Sequence, residues 1–265
     1  MTAGGDMFEP GSVAIVTGIG PGMGRSIAIG FARHGVDVAL AARRIERVES
    51  VAAEVRQLGR DPLVVATDIA DEQACGALVE TTVERFGRID VLVQNAHHDG
   101  DYTPVVDADP ATWRTVFDVN LFGALHLVQR VVPVMGRQGG GSIVLVNSGA
   151  AVRNPPRMAA YAASKSALAT VGRVLAQEVG PLGIRVNGVF LGPVEGENLS
   201  RMGAGAADAA GISLDEWLAI KATEMPLGFI PTADQCAETV LFLASARAAP
   251  VTGQHIAVNG GQWAS

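Results

Sequence analysis

Apolar residues along the chain fall into short uninterrupted runs, separated by longer stretches in which they recur at helical spacing. The runs are VAIVT from Val13, VDVALAA from Val36, PLVVAT from Pro62, IDVLVQN from Ile89, SIVLVN from Ser142, IRVNGVF from Ile184 and HIAVN from His255. Most are continuous and rich in β-branched residues rather than alternating, which is the pattern of strands covered on both faces of a parallel sheet. The stretches between them fit right-handed crossover helices. Several carry end signals: Asp109 before Pro110, and capping boxes from Ser213 to Glu216 and from Thr232 to Gln235. The pattern predicts an α/β fold: a single doubly wound domain of the Rossmann type over residues 1–265, with a seven-stranded parallel sheet and helices on both faces.

Two helical stripes carry polar residues where apolar ones are expected. Trp113, Val116, Phe117, Asn120, Ala124, Leu127 and Val131 share one face that is apolar except at Asn120, and a buried amide must find partners, either in a site or in the core. Tyr161, Lys165, Leu168, Gly172, Leu175 and Val179 share another, headed by two polar groups. The strand–helix rhythm breaks at 192–231, where the run GAGAADAAG precedes a short helix containing Trp217. An insertion of that length between a strand and the next helix predicts a substrate lid or binding loop.

Composition narrows the partners. A net charge of −7 lacks the positive field that nucleic acid or an anionic membrane surface requires, which leaves small molecules. Cys75 and Cys236 are too few for a disulfide framework and are read as thiols of a reducing cytoplasm, and no ligand set suggests a metal. Residues 1–12 contain Asp6 and Glu9 and no basic residue, so no cationic secretory leader is expected, nor any apolar run of membrane-spanning length.

The stretch YAASK, residues 161–165, sets one of two tyrosines four places before one of two lysines. At these frequencies that spacing arises by chance in about one or two such chains in a hundred. Residues four apart are neighbours on a helix face. Lowering a phenol from a pKa of about 10 to 7 takes about 4 kcal/mol, roughly what one ammonium about 4 Å away supplies at an effective dielectric of about 20. Tyr161 therefore reads as an acid towards a carbonyl or a base towards an alcohol. Ser148, just past the fifth strand, is placed to hydrogen-bond the same oxygen; taken alone it reads more often as a turn or cap residue, a reading that the Tyr161 and Lys165 pairing overturns. No Gly-x-Ser-x-Gly surrounds it to suggest a nucleophile.

The segment TGIGPGMG follows the first strand and opens a helix, where free N–H groups and the positive helix end suit a pyrophosphate. Gly18, Gly22, Met23 and Gly24 are the candidates there, although the spacing misses the Gly-x-Gly-x-x-Gly register. Thr17-Gly18-x-x-x-Gly22-x-Gly24, Asn95-Ala96, Asn120, Ser148 and Tyr161-x-x-x-Lys165 together resemble the short-chain dehydrogenase/reductase family, with matches from residue 13 to about 260.

The resemblance implies a nicotinamide dinucleotide cofactor and hydride transfer. It places Asp68 against the adenine amino group, Asn95 and Ala96 near the adenosine ribose, Lys165 on the nicotinamide ribose and Val194 at the carboxamide through its backbone N–H. It makes Asn120 the holder of a water that links the lysine to solvent, and it implies a homotetramer, for which a small-residue flank at Ala160, Ala163, Ala167 and Thr170 offers a helix-packing surface. At the end of the second strand Ala42 leaves space and Arg43 offers a cation beside the ribose, which favours NADP over NAD, with Arg44 and Arg25 as helpers.

Three departures stand out. His97 occupies the glycine that usually follows Asn-Ala, with His98 and Asp99 after it; Leu191-Gly192-Pro193-Val194 replaces the usual Pro-Gly order; and Gly196 stands where the family has a threonine. The expected substrate pocket is mostly apolar, built from Val152, Pro155, Trp217 and Met225, with Arg153 as a candidate anion contact. The leading function is an oxidoreductase interconverting a ketone and a secondary alcohol; the alternative is a dinucleotide-binding regulator or scaffold that has lost turnover.

Overall fold

The structure, a computed structural model, describes residues 7–263. The stretch used above to argue against a leader lies partly outside the described residues, Asp6 included.

All seven predicted strands form, and they make one sheet. They are β1 Val13–Thr17, β2 Asp37–Ala42, β3 Leu63–Ala66, β4 Val91–Gln94, β5 Gly141–Ser148, β6 Ile184–Leu191 and β7 His255–Val258. Their order is β3-β2-β1-β4-β5-β6-β7, and every pairing is parallel. The order reverses between β1 and β4, so connections leave in opposite directions there and a crevice opens at the carboxyl ends of the strands. Val16 lies opposite Leu40 on one side and Val93 on the other, which brings the segments after β1, β2 and β4 to one edge at one level.

The helices are α1 Met23–Arg33, α2 Ile45–Gln57, α3 Glu72–Phe86, α4 Pro110–Phe117, α5 Gly123–Gln138, α6 Ala150–Arg153, α7 Ala159–Val179, α8 Glu197–Ala210, α9 Leu214–Thr223 and α10 Ala233–Ala244. Successive strand residues feed opposite faces: Ala14 and Val16 join a core with α1, α2 and α10, while Ile15 joins a second core with α3, α5 and α7. This double burial is why the strands read as continuous apolar runs. The predicted caps are in place: Asp109 accepts from the Ala111 N–H with Pro110 in the first turn, and Ser213–Glu216 and Thr232–Gln235 are reciprocal capping boxes. Cys75 and Cys236 are buried free thiols whose pKa values burial pushes up to about 12 and about 11.

Two expectations need correction. The helical stretch Pro110–Gln138 is long and apolar enough to cross a membrane by length and composition. Its residues Val119, Ala124, Leu127, Val131 and Met135, however, are buried in the second core against the sheet. The apolar excess serves the inner face of a core helix. Secondly, the Gly/Ala run within 192–231 is helical: α8 spans it, since alanine favours helix enough to carry the two glycines. Between β6 and α10 the chain therefore forms a pair of helices, and Trp217 of α9 packs against Gly203 of α8, where a Cβ would come within 2.6 Å of the indole.

Candidate active site

A cavity of about 1120 Å³ fills the crevice, running from the glycine turn past Tyr161 to the first turns of α8. At one end α1 starts at Met23 with Gly22 as its N-cap and with no side-chain hydrogen bond at the cap. The helix thus presents free N–H groups beside the cavity. Gly22 has φ +101° and nothing within 4 Å of where a Cβ would sit, so its backbone is open to a bulky group. Gly18, at φ +67°, is glycine for a different reason: a Cβ there would lie 2.5 Å from Ala96 Cα, and one on Gly24 would lie 2.4 Å from the Gly18 carbonyl. The turn is pressed against the segment after β4 on one side and left clear on the other, a shape that fits a pyrophosphate.

Arg43, Arg44 and Arg47 line the cavity beyond the second strand, with Asp68 past the third. Arg47, three residues into α2, was missed from sequence although it lies four positions after Arg43. Arg25 is not available as a helper, because its guanidinium forms a two-pronged pair with Glu54 of α2. Asp68 Oδ1 accepts from the Ala70 N–H, while Asp71 caps α3. Asn95 is buried and its amide is spent on the fold: Nδ2 donates to the carbonyls of Thr17 and Gly18 at 3.1 and 3.0 Å.

At the far end of the cavity stand Ser148, Tyr161 and Lys165. Tyr161 lies in the first turn of α7, and Lys165 one turn later is 2% exposed. The Lys165 Nζ donates to the Val146 carbonyl at 2.9 Å and sits 5.9 Å from the centroid of the Tyr161 ring. The two groups share one face, as the spacing predicted.

Their electrostatics differ from the sequence argument. Burial, followed by the negative charge of Asp99, pushes the Tyr161 phenol above its ordinary pKa, against an opposing hydrogen bond from Ser148. Burial lowers Lys165 to about 8, partly offset by Asp99. In the cofactor-free protein desolvation is the largest influence on the phenol and pushes it away from the phenolate.

The comparisons with known proteins agree with this geometry. A family profile described as enoyl-(acyl carrier protein) reductase matches residues 18–262. The 7alpha-hydroxysteroid dehydrogenase of Escherichia coli (strain K12) is 32% identical over 252 residues, covering 95% of this chain and 94% of that protein. The crystal structure of L-sorbose reductase from Gluconobacter frateurii complexed with NADPH and L-sorbose superposes with a TM-score of 0.93 at 30% identity, over 98% of this chain and 99% of that one. NAD+-bound xylitol dehydrogenase superposes at 0.88 and 29% identity, over 95% and 99%.

The chain belongs to the short-chain dehydrogenase/reductase family. It is an NAD(P)-dependent oxidoreductase with that family's parallel sheet.

Within the family pattern, Asn120 occupies a π-helical turn, Asp118–Phe122, between α4 and α5. It is fully buried and outside the cavity lining. Its Nδ2 donates to the His98 carbonyl at 3.0 Å and to Ser164 Oγ at 2.9 Å, while Oδ1 accepts from the His98 N–H at 2.7 Å. The amide ties the loop after β4 to α7, and both amide hydrogens are used within the chain. Gly196 has φ +147° and is the N-cap of α8, a backbone that a threonine would strain; Val194, two residues earlier, lines the cavity.

The substrate end is more polar than predicted. Val152, Pro155, Trp217 and Met225 are not in its lining. Arg153 turns instead to the Trp263 ring, 5.5 Å away. In their place stand His97, Asp99, Tyr102, Arg157, Arg201 and Met202. Arg157 Nε donates to the Tyr102 carbonyl at 2.7 Å. Sequence gave no signal for Arg201, which meets Asp99 from 102 positions away.

Lys165 generates a test. Its folded-state pKa of about 8 lies below the ordinary 10.5, so the unfolded chain binds more protons between those values and stability contributed at this residue rises with pH across that window. Below pH 8 its charge costs stability. Lys165→Met should therefore raise the melting temperature of the cofactor-free protein at pH 7 by on the order of 5 °C. The gain should shrink between pH 8 and 10.5, as read by thermal melts over that range. A pH-independent difference would contradict a buried ammonium.

Proposed function

We propose that this chain is an NADP(H)-dependent enzyme that interconverts a ketone and a secondary alcohol. The observation that carries the reading is the meeting of Ser148, Tyr161 and the buried Lys165 in the same cavity as the open glycine turn. When bound, the nicotinamide supplies or receives the hydride. In reduction, Tyr161 gives its phenolic proton to the carbonyl oxygen, and the Ser148 hydroxyl hydrogen-bonds that oxygen and fixes its distance from the phenol. Burial and Asp99 hold Tyr161 protonated, the form this direction uses. Lys165, poised at about 8, exchanges protons with its surroundings near neutral pH and holds the nicotinamide ribose. Asn120 acts as a positioning residue through the loop at His98.

For the cofactor, Gly18, Gly22, Met23 and Gly24 would hold the pyrophosphate, and Asp68, Asn95, Ala96 and Val194 would complete the sides of its channel. Arg43 and Arg47, exposed beside it with Ala42 leaving room, favour a 2′-phosphate. The chain would work as one catalytic domain over 1–265 with 192–231 as its lid, because α8 lines the cavity and α9 only backs α8. The free thiols Cys75 and Cys236 favour a reducing cytoplasm, and the negative net charge favours small-molecule substrates over membranes and nucleic acid. A homotetramer is the assembly that fits the family. Of the proposed flank on α7, Ala160 is buried within the chain, which leaves Ala163, Ala167 and Thr170 for a neighbour.

Tyr161→Phe should lower kcat about 10²- to 10⁴-fold with NADPH binding intact, measured by NADPH oxidation against a ketone panel and by fluorescence titration. Undiminished turnover would remove Tyr161 as the acid, and a wild type that binds NADPH but reduces no ketone would favour the silent-binder alternative. Arg43→Ala should weaken NADPH by about tenfold or more while sparing NADH. An equal loss for both would refute the phosphate contact. Sedimentation should give the mass of four chains, and a single-chain mass would refute the tetramer.

A further inference from the structure

We propose that Asp99 is the substrate-recognition carboxylate of this site and that it selects carbonyl compounds bearing a hydroxyl group on the carbon next to the reacting carbonyl. The proposal rests on the oxidoreductase reading above and names its substrate class.

The geometry starts from His97, the residue that replaces the family's glycine. Its ring stands edge-on to Tyr161, with centroids 6.5 Å apart, and its Nδ1 lies 3.3 Å from the Asn95 carbonyl. Its Nε2 lies 3.3 Å from Asp99 Oδ1. From the opposite wall, Arg201 of α8 approaches Asp99 Oδ2 at 3.8 Å, and its NH2 also donates to Asn198 Oδ1 at 3.2 Å. Asp99 is thus held between the loop after β4 and the lid helix. Neither contact saturates it. A carboxylate accepts about four hydrogen bonds; one of these two contacts is a long hydrogen bond and the other an ion pair beyond hydrogen-bond length. The remaining lone pairs belong to a side chain 32% exposed in the cavity lining.

Charge decides which ligand fits. His97 and Arg201 contact Asp99, and His98, Tyr102, Tyr161 and Lys165 lie within its electrostatic reach. The positive charge of Arg201 already balances the carboxylate, so an ammonium substrate would compete with that arginine and a carboxylate substrate would meet Asp99 repulsion. A neutral hydroxyl avoids both. It donates to Asp99 while its oxygen accepts from Arg201 or the imidazole, which pairs every group without adding charge. Because the His97 ring touches both Asp99 and the Tyr161 ring, a hydroxyl bound at Asp99 is on the Tyr161 side of the cavity, beside the carbon whose oxygen would meet the phenol. The negative charge of Asp99 reaches both Tyr161 and Lys165, which agrees with this closeness.

The test compares 2-hydroxycyclohexanone with cyclohexanone as substrates for the wild type and for Asp99→Asn. The effect of Asp99 on the phenol alters both ketones alike and cancels in their ratio. In the wild type, kcat/KM should favour the hydroxyketone by about tenfold or more, mainly through KM. Asp99→Asn should cut that preference by about tenfold. The melting temperature and the NADPH Kd report that the variant is folded. An unchanged ratio in the folded variant, or a wild type with no preference, overturns the proposal, the latter without any variant. Should no ketone be reduced at all, the oxidoreductase reading fails separately. Calorimetry of trans-1,2-cyclohexanediol and cyclohexanol on the NADP-loaded protein then decides Asp99 by the same ratio, and absence of diol binding overturns it.

Discussion

A seam of hydrogen bonds between the carboxyl ends of β1 and β4 sets the shape of everything above it. The Thr17 hydroxyl donates to Gln94 Oε1 at 2.7 Å and accepts from the N–H groups of Asn95 and Ala96 at 3.1 and 3.2 Å. Asn95 returns its amide to the carbonyls of Thr17 and Gly18. These groups are buried, so each bond left unmade would cost about 1–3 kcal/mol, and the two segments are fixed in one arrangement. The glycine turn is pressed to the sheet on its inner side, the cavity lies on its outer side, and the next residues along the β4 segment are His97 and Asp99.

Desolvation governs the chemistry. A lysine with 2% exposure and a phenol beside it both resist charge, and in this protein burial is the largest influence on each. Two point charges at an effective dielectric of about 20 leave out this desolvation, which pushes the ligand-free phenol up rather than down. The consequence in the ligand-free protein is a phenol pushed away from its anion and a lysine lowered to about 8. Asp99 strengthens the first tendency and opposes the second, so one carboxylate bears on both groups.

The seven strands, the caps at Asp109, Ser213 and Thr232, and the shared face of Tyr161 and Lys165 were legible because each depends on residues close in sequence: β-branched runs, a side-chain oxygen two or three positions from its N–H, a spacing of four on a helix. Asn120 was legible as a polar break in an apolar stripe, yet its partners at His98 and Ser164 come from other elements. Trp217 and Met225 went astray for a related reason. Apolar residues in an insertion suggest a pocket, but α8 was hidden in a Gly/Ala run, and once it forms, Trp217 has Gly203 to pack on.

Sequence by itself determined the α/β class, the parallel sheet, the glycine turn and the shared helix face of Tyr161 and Lys165, because local periodicity and short-range motifs encode them directly. Tertiary structure alone decided that Arg25 is bound to Glu54, that the phenol is held neutral, and that Asp99 meets Arg201 across the cavity. Those facts depend on burial and on contacts between distant segments, and such contacts exist only once the sheet has brought its strand ends together.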